Sequence, residues 1–231
     1  MGSVSVEDRG GVAVVALDHP PANAITVEVL AELISALESV AAERPKALIM
    51  AGRPGFFSAG VDLKAVPGYG PEEQRQMVDG INRMVLSTYP MPFPVVAAVT
   101  GHAIAGGLVL AVCSDIRVAS LEGRYGLTEI KVGVPYPQAA IGVVLAELAP
   151  HAARKLVLGN ELIGAEEAAR LGLFDEVLPP EKVLPRAHEI AAELAAMPGE
   201  VYARTKRDLR DRTTTALRDA ATSDPLLARW V

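Results

Sequence analysis

Val99-Thr100-Gly101-His102-Ala103-Ile104-Ala105-Gly106-Gly107-Leu108 is a run of small residues that opens directly into the apolar stretch Leu108-Val109-Leu110-Ala111-Val112-Cys113. The spacing predicts a loop over 101–107 and a buried helix over 108–113. The first amides of a helix lack internal partners and point outward, and the macrodipole adds positive potential there. A segment of the same character lies upstream, Ser58-Ala59-Gly60-Val61-Asp62-Leu63. Gly60 and its small neighbour Ala59 let a ligand approach the backbone closely. One backbone N–H from each segment can make an oxyanion hole, a pair of fixed donors aimed at charge that develops during a reaction. On pattern alone the plainer reading is favoured, a strand turn and a tightly packed helix start, because glycine punctuation is common.

Outward from these segments, strand and helix patterns alternate. Residues 4–6 and Val12–Leu17 read as strands around the turn Arg9-Gly10-Gly11. Two prolines stiffen His19-Pro20-Pro21-Ala22-Asn23-Ala24. Thr26 is placed to cap a helix carrying Leu30, Leu33, Ile34, Leu37 and Ala41 at helical spacing. Ala47–Ala51, Val95–Val99 and residues 116–119 are short apolar strands. Pro71 opens a helix with Met77, Ile81, Met84 and Val85 on one face. Residues 126–134 read as a strand or an extended loop. From Ala139 onward helices dominate, interrupted by a short strand over 172–177 and broken at Pro198-Gly199. Beyond that break, 202–212 and 213–231 read as two separate amphipathic helices. The pattern predicts an α/β core of short stacked strands with a helical C-terminal part, divided into residues 1–197 and 198–231.

Composition narrows the function. The chain has 231 residues, 50% of them hydrophobic and 22% charged, which excludes intrinsic disorder. A net charge of -6 and a longest Lys/Arg run of two residues argue against a nucleic-acid groove. The single cysteine, Cys113, excludes a disulfide framework, and its apolar setting predicts an inert thiol. The polar, acidic start and the short apolar runs predict a cytoplasmic protein without membrane attachment. No phosphate-binding GxxxxGK[ST] and no HExxH occurs, and the four histidines share no ligand spacing, so no metal site is expected. Phe56-Phe57-Ser58-Ala59-Gly60 misses the nucleophile-elbow pattern GxSxG at its first glycine, which leaves Ser58 as a turn residue.

Several ordered blocks together resemble the crotonase family, also called enoyl-CoA hydratase/isomerase. They are HPPANAIT (19–26), FFSAGVDLK (56–64), VTGHAIAGGLVLAVCSDIRVA (99–119), YGLTEIKVGVPYPQAAIGVVLAEL (125–148), GNELIGAEEAARLGLFDEVLP (159–179) and ARTKRDLR (203–210). The resemblance implies a crotonase-like spiral of strand-strand-helix turns with a helical C-terminal region, assembled as a homotrimer or a dimer of trimers. It implies an acyl-CoA thioester substrate, with coenzyme A part of the substrate and no separate cofactor. It puts the oxyanion donors on the amides of Val61 and Gly106. The coenzyme would run along Ala22, Ala24, Ala59, Asp62 and Leu63, with Lys64 or basic residues of the 203–212 helix meeting phosphates.

The resemblance also makes the carboxylates decisive. Hydratases of this family carry two glutamates; the positions here are Val109 and Glu129. Adding water requires a water to be held, deprotonated, and C2 to be protonated, work divided between two groups. Moving a double bond from C3 to C2 needs one base, and an apolar Val109 would help exclude competing water. Other members add an Asp eight residues beyond the glutamate; here Pro137 stands there, with neither a carboxylate nor a backbone donor. The expectation is therefore a Δ3-Δ2 enoyl-CoA isomerase with Glu129 as base and with Val109 and Pro137 along the acyl site. A hydratase drawing a carboxylate from elsewhere, such as Glu122, and a non-catalytic acyl-CoA-binding protein are the alternatives. Leu226, Leu227 and Trp230 form an apolar cluster expected to dock on a neighbouring subunit or on the core.

Overall fold

Strands as apolar as Ala47–Ala51 and Val95–Val99 need cover on both faces, and the computed structural model, which describes residues 2–231, provides it. The first half runs β1 (Val4–Asp8), β2 (Val12–Leu17), β3 (Ala24–Ile25), α1 (Val27–Glu43), β4 (Ala47–Ala51), β5 (Gly55–Ser58), β6 (Gly60–Val61) and α2 (Pro71–Thr88). It continues through β7 (Val95–Val99), β8 (Gly101–Ile104), α3 (Gly106–Val112), β9 (Ile116–Ser120) and β10 (Arg124–Gly126). The remainder is α4 (Gln138–Glu147), α5 (Pro150–Gly159), β11 (Ile163–Gly164), α6 (Ala165–Arg170), β12 (Glu176–Leu178), α7 (Pro180–Ala195) and α8 (Gly199–Thr222).

Successive turns place one strand in each of two sheets. The larger has the order β1-β2-β4-β7-β9-β12, parallel except for the β1–β2 hairpin. The smaller has the order β11-β10-β8-β5. This is the α/β spiral expected. One face of the larger sheet joins α1 to α5 in the main core; the other is covered by Val183, Ala187, Ile190 and Ala191 of α7. Thr26 caps α1 as expected, its Oγ1 accepting from Val29 N at 3.3 Å. Cys113 is fully buried, and desolvation pushes its thiol up to about 12. No helix among the described residues is long and apolar enough to cross a membrane.

Four elements differ from expectation, the first being the strand read over 172–177: residues 172–175 turn the chain out of α6, and only Glu176–Leu178 pairs as β12. Residues 101–104 are a strand, not a loop: β8 runs between β5 and β10, so close that a Cβ on Gly101 would lie 2.0 Å from the Gly55 carbonyl. Small residues there reflect crowding between strands, not turning. Of residues 126–134 only Gly126, the end of β10, is strand; Ile130–Val132 is a 3-10 turn closed by Gly133 at φ 72°. The chain from Gly199 to Thr222 is one helix, not two. Three consecutive threonines, 213–215, suggest a break, but Thr214 and Leu217 are buried against the core and packing carries the helix through.

Helix α8 is held by a buried charge cluster at one end of the sheet. Lys206 Nζ donates to Asp115 Oδ2 (2.7 Å) and to the Phe93 carbonyl (3.0 Å). Arg210 pairs with Asp115 Oδ1 at 2.9 Å, reaches Glu147 at 3.5 Å and lies 4.1 Å from the Tyr89 ring centroid. These two cations of the 203–212 helix are thus taken up inside the protein, which removes them as phosphate ligands.

Candidate active site

The two small-residue segments meet because neither has side chains in the way. Gly60 has φ 78°, a conformation costly for any residue with a Cβ. A Cβ there would also sit 2.8 Å from both the Ala105 Cβ and the Ile104 carbonyl, and 3.0 Å from Gly106 N. On Gly107 it would lie 2.4 Å from the Ser58 carbonyl. Gly60–Val61 pairs in parallel with Ala24–Ile25, which carries the segment onto the proline-rich loop. Ala105 adopts φ 50°, ψ -128° and turns the chain into α3, whose first residue is Gly106. The Gly106 amide therefore belongs to the helix-start donors that lack an intrahelical acceptor.

Asn23 fixes this corner. It is fully buried, and its Nδ2 donates to the carbonyls of Leu17 (2.9 Å), Phe57 (3.1 Å) and Phe56 (3.2 Å). Ser58 is structural as expected: its Oγ donates to the Asn23 carbonyl at 2.7 Å and accepts from Gly60 N at 3.1 Å.

A cavity of about 520 Å³ opens beside these segments. Its wall includes Ala59, Val61, Leu63, Gly106, Val109, Glu129, Tyr136, Pro137 and Trp230. Seven of the site residues expected from sequence thus converge on one space. Ala22, Ala24, Asp62 and Lys64 do not line it. Ala22 and Ala24 lie directly behind the wall, through the Ala59 N to Ala22 O bond (3.0 Å) and the Ala24–Gly60 pairing. The Asp62 carboxylate is used locally, accepting from Lys64 N at 2.8 Å. Lys64 is exposed, as is Glu122, which is not among the lining residues and supplies no second carboxylate.

Glu129 is 8% exposed, and its Oε2 has no hydrogen-bond partner. Burial raises its carboxyl to about 7; the nearby Tyr136 hydroxyl and a backbone amide pull the other way, and no cation contributes. The segment is clamped by Asn160, whose Oδ1 accepts from Lys131 N (3.1 Å) and whose Nδ2 donates to the Leu127 carbonyl (3.2 Å). Glu129 and Tyr136 are the only titratable groups among the lining residues. Val109, 1% exposed, makes the helical side of the wall apolar.

Sequence reading passed over Asn23, Asn160, Tyr136 and the Asn82–Asp224 pair. Asp224 Oδ2 accepts from Asn82 Nδ2 (3.0 Å) and Gln138 N (2.7 Å), tying the C-terminal segment to α2 and α4. Trp230 docks on its own chain, its Nε1 donating to the Pro135 carbonyl at 3.0 Å. Of these, only Tyr136 had a local signal, a lone aromatic held between two prolines.

Taken together, a buried carboxyl titrating near neutrality in an apolar cavity that also holds a helix-start amide suits proton transfer at carbon next to a carbonyl. The model of the family described as enoyl-CoA hydratase/isomerase matches residues 7–227. A putative enoyl-CoA hydratase of Thermus thermophilus is 35% identical over 97% of this chain and 90% of its own. Mouse mitochondrial enoyl-CoA delta isomerase 1 is 29% identical over 93% of this chain and 75% of its own. The crystal structure of a probable enoyl-CoA hydratase from Mycobacterium tuberculosis superposes with a TM-score of 0.89 at 30% identity, covering 95% of this chain and 93% of that one. Fold, cavity and relatives agree, and the chain belongs to the enoyl-CoA hydratase/isomerase family.

Proposed function

We propose that the chain is a Δ3-Δ2 enoyl-CoA isomerase. The observation that carries this reading is that Glu129 is the sole carboxylate lining a cavity whose helical wall is the apolar Val109. The Glu129 carboxylate takes a proton from C2 of a 3-enoyl thioester. The C2–H electron pair forms a C1–C2 double bond as the thioester oxygen gains negative charge. That dienolate is held by the Val61 and Gly106 amides. The same proton then returns at C4, the electrons move back, and a C2–C3 double bond results. No cofactor enters, since coenzyme A is carried by the substrate. Ala22, Ala24, Ala59, Asp62, Leu63 and Lys64 are assigned to the coenzyme side, and Pro137 to the acyl side. Exposed Ile130, Val132 and Leu162 around the Glu129 segment support assembly as a homotrimer or dimer of trimers.

The test is a product analysis of the unmodified protein. With a 3-enoyl-CoA, absorbance of the conjugated 2-enoyl thioester rises; with a 2-enoyl-CoA, no 3-hydroxyacyl-CoA forms. Accumulating 3-hydroxyacyl-CoA makes the protein a hydratase, and thioester binding without turnover makes it a binding module.

The corner at Gly60 gives a second expected result. Gly60→Ala adds a methyl group facing Gly106 N and imposes an unfavourable φ. Turnover falls by about 100-fold or more, and the fold loses about 1–3 kcal/mol. Steady-state kinetics and a thermal melt read the two effects separately, and unchanged kinetics would exclude this corner as the oxyanion site.

A further inference from the structure

Tyr136 is the one other side chain in the cavity that can exchange a proton, and its hydroxyl is buried without a hydrogen-bond partner. Glu129 Oε2, also in that wall, is likewise unpartnered. Buried polar atoms are normally satisfied, so two orphans facing one space mark a contact that closes when the site is filled. Pro135 and Pro137 restrict the backbone on both sides of Tyr136. The Pro135 carbonyl is pinned by the Trp230 indole, and the Gln138 amide by Asp224. The phenol is therefore carried on a stiff segment, whereas the glutamate has rotatable bonds to lose.

We propose that Tyr136 is a positioning residue for Glu129: its O–H donates to one carboxylate oxygen and leaves the other free to take the C2 proton. The inference rests on Glu129 being the base. A fixed donor selects one rotamer of the carboxylate and favours its charged form. The same donor moderates the upward pull of burial on Glu129. No other titratable or charged side chain lines the cavity, so the pair titrates without a third partner.

Tyr136→Phe removes one unbonded oxygen and no packing contact, so a thermal melt close to that of the unmodified protein is expected. Its kcat falls about tenfold, the worth of one hydrogen bond to a charged group, while KM changes little. The acid limb of its kcat profile, which reports the filled site, moves upward by roughly one pH unit, because the carboxylate loses its donor. A merely structural role would not move that limb. Tyr136→His, which keeps a donor on a shorter side chain, recovers part of kcat. Should Tyr136→Phe fold poorly, the carbon-13 resonance of the Glu129 carboxyl in Tyr136→Leu, with a saturated acyl-CoA bound, decides: an apparent pKa above that of the unmodified protein supports the proposal and an unmoved one overturns it. An unmoved acid limb and unchanged kcat in a folded Tyr136→Phe overturn the proposal. If instead the unmodified protein and Glu129→Gln are equally active or equally inert, the isomerase reading itself has failed.

Discussion

Glu129→Gln is expected to abolish double-bond migration and, at neutral pH, to make the folded protein more stable. The two effects have one cause. A single general base contributes about 10²–10⁴ in rate, and the cavity wall holds no other carboxylate, so turnover falls about 1000-fold or more. The stability effect follows from the raised carboxyl. In the unfolded chain the group titrates near 4.5; folded, near 7. Below the lower value both states hold the proton and the folded state bears no cost. Between the two values the unfolded state releases a proton that the folded state retains, so stability falls as pH rises and levels off above 7. The full span corresponds to on the order of 3 kcal/mol. A glutamine never ionises and avoids this loss. The variant and the unmodified protein therefore melt together near pH 4.5 and separate by several degrees at pH 8, with the variant higher. Coincident melts at pH 8 would mean that Glu129 is well solvated. Turnover within tenfold of the unmodified protein would mean that the proton goes elsewhere.

How much of this was legible in the sequence depended on whether the signal was local. Strands β2, β4 and β7 were readable to the residue because a strand covered on both faces is a short apolar run, and composition alone marks it. Thr26 was readable because a cap is decided within three residues. Gly101 was misread because a glycine needed for crowding between strands looks identical to one needed for a turn; the difference lies in Gly55, far away in sequence. Glu129, Val61, Gly106 and Val109 were found through ordered blocks, and the spiral does bring them to one cavity. Tyr136 was not found, since its meaning comes from facing Glu129 and from a tryptophan 94 positions later that pins its neighbour. The coenzyme side was read as lying mostly along backbone atoms, and Ala22 and Ala24 meet the cavity wall through theirs.

The Asp115 cluster was invisible for the same reason, and it sets the second large expectation. Asp115→Ala should destabilise the fold by about 3–5 kcal/mol. Its carboxylate accepts from Lys206 Nζ, Arg210 Nη1, Val95 N at 2.8 Å and the Tyr202 hydroxyl at 3.3 Å. The two cations are almost fully buried, and burial has already drawn the Lys206 ammonium down to about 8 even with its partner present. Without Asp115, Lys206 keeps only the Phe93 carbonyl, and Arg210 keeps Glu147, the Tyr89 ring and backbone carbonyls. An unpaired buried charge costs more than the pair was worth, so the main penalty lies in the orphaned ammonium. That distinction can be measured. Asp115→Ala lowers the melting temperature by roughly 10 °C, and adding Lys206→Met, which removes the orphan and keeps an apolar stem, restores part of the loss. A double variant that is worse than the single one by the full cost of Lys206→Met alone would show independent sites. In that case Asp115 and Lys206 act separately, and the penalty of Asp115→Ala does not come from an orphaned ammonium.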